Sequence, residues 1–188
     1  MDCPLSAQPA REPQRRSPAE RVPAHAVLDM VIAPEDPRAD DVRALLERHL
    51  ALMHEVTPVG HVHALDAERL ADPALSFFGA RRGGVLLGIG ALKRLDDAHV
   101  ELKSMHTAFE ARRRGVGAAM VTHLVGVARA SGYRRVSLET GSFDAFAPAR
   151  ALYAGFGFVR CAPFGGYTDN PHSVCLTLEL DGIAEPQG

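Results

Sequence analysis

Between Leu75 and Ala130 the apolar pattern changes its period once, and that change limits the folds open to this chain. Leu75–Arg81, Val85–Leu95 and His99–Thr107 read as strands, with Gly83-Gly84 and Asp96-Asp97 as tight turns between them. From Gly115 to Ser131 the period is helical, with Val116, Met120, Leu124 and Val127 on one face. Gly132-Tyr133 stops the helix and Arg135–Thr140 returns to a strand pattern. A strand meander followed by a helical crossover predicts a mixed sheet covered by helices, an α/β fold in one layered domain.

The flanking segments extend this frame. Val27–Ala33 predicts a first strand. After Asp36-Pro37 a helix is expected over Arg38–His54, with Val42, Leu45, Leu46, His49, Leu50 and Met53 at helical spacing and Thr57-Pro58 and Gly60 ending it. A short helix precedes Asp72-Pro73, a helix at Pro148–Ala154 ends at Gly155, and two strands are expected at Phe158–Phe164 and Ser173–Leu180. The predicted order is β-α-α-β-β-β-α-β-α-β-β. Residues 1–25 are rich in proline and charge and poor in apolar side chains, so a flexible tail is expected there. The domain is expected over residues 26–181, with a short tail at 182–188.

A chain of 188 residues, 46% hydrophobic and 23% charged, suffices for one core. A net charge of −2 gives no electrostatic reason to expect nucleic acid or an anionic membrane as partner. No apolar run reaches transmembrane length. Cys3, Cys161 and Cys175 match neither a disulfide framework nor a zinc spacing. With no signal-peptide pattern at the N-terminus, the cytoplasm is the expected setting.

The segment with most chemistry is Arg112-Arg113-Arg114-Gly115-Val116-Gly117-Ala118, between a strand and an amphipathic helix. A first helical turn leaves backbone N–H groups without partners, and the helix dipole adds partial positive charge there. Glycines let a ligand approach the backbone, and arginines at the edge add charge-assisted bonds to phosphate oxygens. The result is an anion site suited to a pyrophosphate. A Walker loop would need a lysine here. A dinucleotide fingerprint would need a glycine where Met120 stands.

Arg112-x-x-Gly115-x-Gly117 resembles the acetyl-CoA signature of the GCN5-related N-acetyltransferases, the GNAT superfamily. The resemblance spans roughly residues 27–180. It takes in the strand Glu101–Met105, the strand Leu138-Glu139-Thr140-Gly141, and the segment Leu152-Tyr153-Ala154-Gly155-Phe156-Gly157-Phe158. It implies transfer of acetyl from acetyl-CoA to a primary amine of a small molecule or peptide, directly in a ternary complex. It also implies that the strand before the signature splays from its parallel neighbour to admit the cosubstrate. The backbone of Met105, His106 and Thr107 would then pair with the pantetheine, and Arg112, Arg113, Arg114, Gly115, Val116, Gly117 and Ala118 would surround the pyrophosphate. Phe146 stands where many relatives have a cofactor-contacting asparagine, and Ser142 is the expected substitute. A homodimer paired through the last strands is an assembly common in such relatives.

By the same resemblance Tyr153 matches the tyrosine that protonates the leaving thiolate, and Glu101 is the candidate base. Strand alternation puts Glu101, Lys103 and Met105 on one face and Leu102 and Ser104 on the other, so Glu101 could equally pair with Lys103. A base is useful because an amine with a pKa near ~10.4 is almost wholly protonated at neutral pH. Glu139 reads as structural, and Tyr133 and Tyr167 have no matching position. His54, His61 and His63 lack a completing carboxylate or cysteine, so no metal is expected; with Glu55, His61 and His63 are read as edging the acceptor mouth. Phe164-Gly165-Gly166-Tyr167 is read as a turn beside the acceptor pocket.

Overall fold

The structure is a computed structural model and describes residues 29–56 and 66–180. It has seven strands, β1 (Met30–Pro34), β2 (Leu75–Arg82), β3 (Val85–Arg94), β4 (His99–Thr107), β5 (Arg135–Gly141), β6 (Val159–Arg160) and β7 (Ser173–Glu179). The helices are α1 (Asp40–Val56), α2 (Ala67–Leu70), α3 (Val116–Ala130) and α4 (Ala147–Gly155). Short 3-10 turns at Phe109–Ala111 and Asp144–Phe146 interrupt this order without changing it. The strands form one sheet in the order β1-β2-β3-β4-β5-β7-β6, antiparallel except for the β4–β5 pair. The expected mixed sheet flanked by helices is what forms.

Two expected strands come out differently. Val27 and Leu28 lie outside the described residues, and β1 continues to Pro34. The segment expected as a strand over Phe158–Phe164 pairs only at Val159 and Arg160. Pro163 lacks a donor N–H, and the Phe164–Tyr167 turn, closed by Tyr167 N–H donating to the Phe164 carbonyl at 3.0 Å, lifts the chain from the sheet.

Each face of the sheet has its own helix. Val116, Met120, Val121, Leu124, Val125 and Ala128 of α3 are buried, and Phe78 of β2 meets His123 of α3 edge-on. A Cβ on Gly90, which pairs with Phe78, would sit within 3 Å of Leu124, so Phe78 and Gly90 face α3. On the opposite face His106 of β4, paired with Ile89, touches His49 of α1. Val42, Leu45, Leu46 and His49 of α1 are buried against that side. Arg81 of β2 ties down the start of α1, reaching Glu35 at 2.7 Å and Asp41 at 2.6 Å.

β4 breaks its alternation near its end. The register runs Ala91↔Lys103 and then Ile89↔His106, so two residues of β4 lie opposite Gly90 alone. Ser104, with φ 52°, occupies this bulge. The expectation that Met105 shares a face with Glu101 and Lys103 is therefore overturned. The extra residue turns Met105 to the α3 face, where its sulfur lies 2.7 Å from the position of a Cβ on Gly90. His106 takes over the α1 face. A period-2 reading cannot register one inserted residue, which inverts every side chain beyond it.

Candidate active site

The parallel contact between β4 and β5 is brief: His99↔Arg135, Val100↔Val136 and Glu101↔Ser137. Beyond Glu101 the β4 edge facing β5 has no strand partner, so Lys103–Thr107 lines an opening. Ser104 Oγ, in the bulge, is buried without a hydrogen-bond partner among the described residues. Backbone and side-chain polar groups left this way are costly unless a ligand or water meets them.

The opening leads to the arginine–glycine turn. The Phe109–Ala111 turn carries the chain to Arg112, whose Nε donates to the Thr107 carbonyl at 3.4 Å and whose guanidinium lies over the Phe109 ring. Arg113 adopts φ 60°, an uncommon and strained conformation for a side chain of its size. Gly115, with φ 82°, begins α3. No side chain caps that helix start, so its first N–H groups remain available to an anion. At Gly117 a Cβ would stand 3.3 Å from Leu152 of α4 and 3.7 Å from Thr107 Oγ1, a tight seam where only a small residue fits comfortably. Val116 is buried and fixes the first turn, Ala118 is half-buried, and Arg112, Arg113 and Arg114 are exposed. The residues proposed for the cosubstrate thus follow one another along the opening and the helix start. The unpaired β4 edge, the uncapped helix and the exposed arginines suit a long ligand with an anionic centre.

Ser142 is differently employed. Its hydroxyl donates to the Pro171 carbonyl at 2.6 Å, and its N–H donates to the His172 carbonyl. The hydroxyl proton is therefore committed to the β6–β7 loop. Phe146 packs onto Gly141, where a Cβ would lie 2.3 Å from its ring.

Glu101 is 2% exposed and belongs to a closed triangle. Lys103 Nζ donates to Glu101 Oε1 at 3.1 Å and to the Tyr167 hydroxyl at 2.7 Å, while that hydroxyl donates to the same Oε1 at 2.5 Å. The expected pair with Lys103 therefore exists, and the Tyr167 hydroxyl joins it on the same carboxylate oxygen. Burial, then the nearby Glu101 carboxylate, push the Tyr167 phenol far above its ordinary value, so it stays a donor. Glu139, one strand over, is held above the usual carboxylate range by burial, opposed by Ser173 and Lys103.

The part played by Tyr167 was missed in the sequence because it comes from a loop 66 residues away. The one available signal was its place in the Phe164-Gly165-Gly166-Tyr167 turn. Tyr153 is 6% exposed and meets Phe158 edge-on, and burial raises its phenol well above the ordinary value. Its phenol is thus neutral, and its ring is a packing residue.

On the α1 face, Nδ1 of His49 and Nδ1 of His106 lie 3.1 Å apart. Burial lowers His49 to about 4; burial, then the neighbouring His49, lower His106 to about 3. The pair is neutral, one ring donating and the other accepting. His61 and His63 lie outside the described residues, as do the side chains of His54 and Glu55. Among the described residues no three His, Cys, Asp or Glu side chains are placed to hold a metal, and no helix is long and apolar enough to cross a membrane.

The profile of the acetyltransferase (GNAT) family matches residues 41–158. The chain is 42% identical over 151 residues to the uncharacterised N-acetyltransferase YsnE of Bacillus subtilis (strain 168), covering 80% of this chain and all of that protein. The crystal structure of a putative acyl-CoA N-acyltransferase from Klebsiella pneumoniae superposes with a TM-score of 0.67 at 22% identity, over 80% of this chain and 97% of that one. A GNAT family acetyltransferase from Elizabethkingia anophelis with acetyl-CoA bound superposes at 0.54 and 16% identity, over 81% and 99%. Sequence match, fold and the geometry of the opening agree, and the chain belongs to the GNAT family of acetyltransferases.

Proposed function

We propose that this protein moves an acetyl group from acetyl-CoA to a primary amine of a small molecule or peptide, directly and within a ternary complex. The observation that carries the reading is the bulged, unpaired end of β4 leading to the uncapped start of α3. Bound acetyl-CoA supplies an activated thioester. The β4 edge from Met105 to Thr107 holds its pantetheine arm by backbone pairing, and the turn from Arg112 to Ala118 holds the pyrophosphate. Glu101, oriented by Tyr167 and Lys103, takes a proton from the acceptor ammonium, directly or through water. Tyr153 gives a proton to the departing thiolate. Backbone N–H groups along β4 polarise the carbonyl. Direct transfer, with no acetylated enzyme, is the reading taken.

Release of free thiol from acetyl-CoA, measured against amino acids, peptides and polyamines, tests the reading. Amine-dependent release supports it. Binding of CoA with no release for any amine would replace it with a non-catalytic acyl-CoA-binding module.

A further inference from the structure

The β6–β7 register brings together two cysteines that the sequence leaves 14 residues apart (175 − 161). Val159 faces Thr177 and Arg160 faces Leu176, the last pair of the ladder, and one further step of that register sets Cys161 against Cys175. Cys161 N–H donates to the Cys175 carbonyl at 3.0 Å, which continues the ladder by one step. Directly opposed residues share a face of the sheet. In a hydrogen-bonded antiparallel pair the Cα atoms lie about 5.5 Å apart. A disulfide spans Cα separations of roughly 4.4–6.8 Å. Both residues are free thiols, and both line a cavity of about 300 Å³ with Arg160, Thr168, Asp169 and Ser173.

What lies between the two cysteines gives the pair consequence. The loop they bracket carries Phe164, which leans on His99, and Tyr167, which holds Glu101. Cys175 also stands opposite Glu139 on the β5 side.

We propose that Cys161 and Cys175 form a reversible thiol-modification site, closed to a disulfide by a low-molecular-weight disulfide, that governs the loop bearing Tyr167. The half-buried Cys161 is the entry point. As thiolate it attacks the oxidant's S–S bond, forming a mixed disulfide and releasing one small thiol. Cys175, deprotonated in turn, attacks the Cys161 sulfur and releases the second. Two protein thiols are oxidised, one external disulfide is reduced, and the two protein protons end on the two small thiols released. Burial raises both thiols, Cys175 to about 11, so the reaction accelerates as pH rises. Joining the sulfurs draws the Cβ atoms to about 3.8 Å, closer than in an ordinary strand pair. The resulting shift passes to the Tyr167–Glu101 contact.

The test uses the full chain carrying Cys3→Ser, incubated with oxidised glutathione and then mapped by peptide mass spectrometry without reduction. The expected product is a linked pair of peptides holding Cys161 and Cys175, lighter by about 2 Da than the two thiol peptides. Amine acetylation, which rests on the proposed function, should fall roughly tenfold or more, since a displacement near 1 Å at a catalytic group has that effect. Dithiothreitol should restore it, and a further Cys161→Ser change should make the protein indifferent to the oxidant. A stable glutathione adduct on Cys161 with no linked peptide would overturn the proposal. So would a fully linked protein with unchanged turnover. The mass map judges the bridge whether or not any amine is acetylated.

Discussion

The Tyr167 hydroxyl donates to Glu101 Oε1 at 2.5 Å, across 66 residues of sequence, and Lys103 closes the contact from the other side. A buried carboxylate with two donors on one oxygen is held in one orientation. Tyr167→Phe removes one donor to a charged group, worth about 1.5–3 kcal/mol. The expected result is a roughly ten- to hundredfold fall in kcat/KM for the amine, with KM for acetyl-CoA unchanged. Its pH–rate profile should shift as well, because the phenol acts through Glu101. A variant with wild-type rate and profile would show that the tyrosine merely packs.

Glu101→Gln keeps the size of the side chain and a hydrogen-bonding oxygen but removes the base. General-base assistance is worth about 10²–10⁴-fold, so kcat should fall within that range while CoA affinity, read by calorimetry, holds. A fall of less than about tenfold would assign Glu101 to the structural pair with Lys103.

Tyr153→Phe separates acid from packing. The ring contact with Phe158 survives in the variant, so the melting temperature should move by only a few degrees, as expected for about 1 kcal/mol. Turnover should fall about a hundredfold or more if the phenol protonates the thiolate. Stopped turnover with intact CoA binding is the expected signature; full turnover would remove Tyr153 from the chemistry.

The sheet and its helices were legible because each depends on periodicity. Val42, Leu45, Leu46 and His49 are buried as helical spacing requires, and Ala91–Arg94 pairs with Val100–Lys103 as alternation requires. The helix start at Gly115 was legible from its glycines. What escaped the sequence depends on single residues or long range. The Ser104 bulge sends Met105 to the α3 face through one inserted residue, with no compositional mark beyond a serine in a strand. Tyr167 reaches Glu101, and Cys161 meets Cys175, only because the β6–β7 loop folds back, and neither contact has a local pattern.

Arg113 carries strain in the arginine–glycine turn before α3. At φ 60° a side chain costs roughly 1–2 kcal/mol relative to the right-handed region. Arg113→Gly relieves that cost and adds glycine's unfolded-state entropy of about 0.5–1 kcal/mol. Stability should therefore hold or rise by about 1 kcal/mol, read as the urea midpoint, in line with these opposing effects. KM for acetyl-CoA should rise with the lost guanidinium, and more steeply at low salt. A clear loss of stability would contradict the strain, and an unchanged KM would take Arg113 away from the pyrophosphate.

The His49–His106 pair makes the fold sensitive to acid. Each imidazole titrates near 6.5 in the unfolded chain, but at about 4 and about 3 in the fold. Above 6.5 both states are neutral here and pH has no leverage through this pair. Between 6.5 and about 4 the unfolded chain binds protons that the folded chain excludes, so stability falls as pH falls. The slope reaches about 1.4 kcal/mol per pH unit for each histidine. Urea midpoints measured from about pH 7 down to pH 4.5 should decline across that window. His49→Phe removes one titrating ring and fills its buried place with an apolar one, so the decline should become shallower by about half. Equal slopes in the two proteins would place the acid sensitivity elsewhere in the fold.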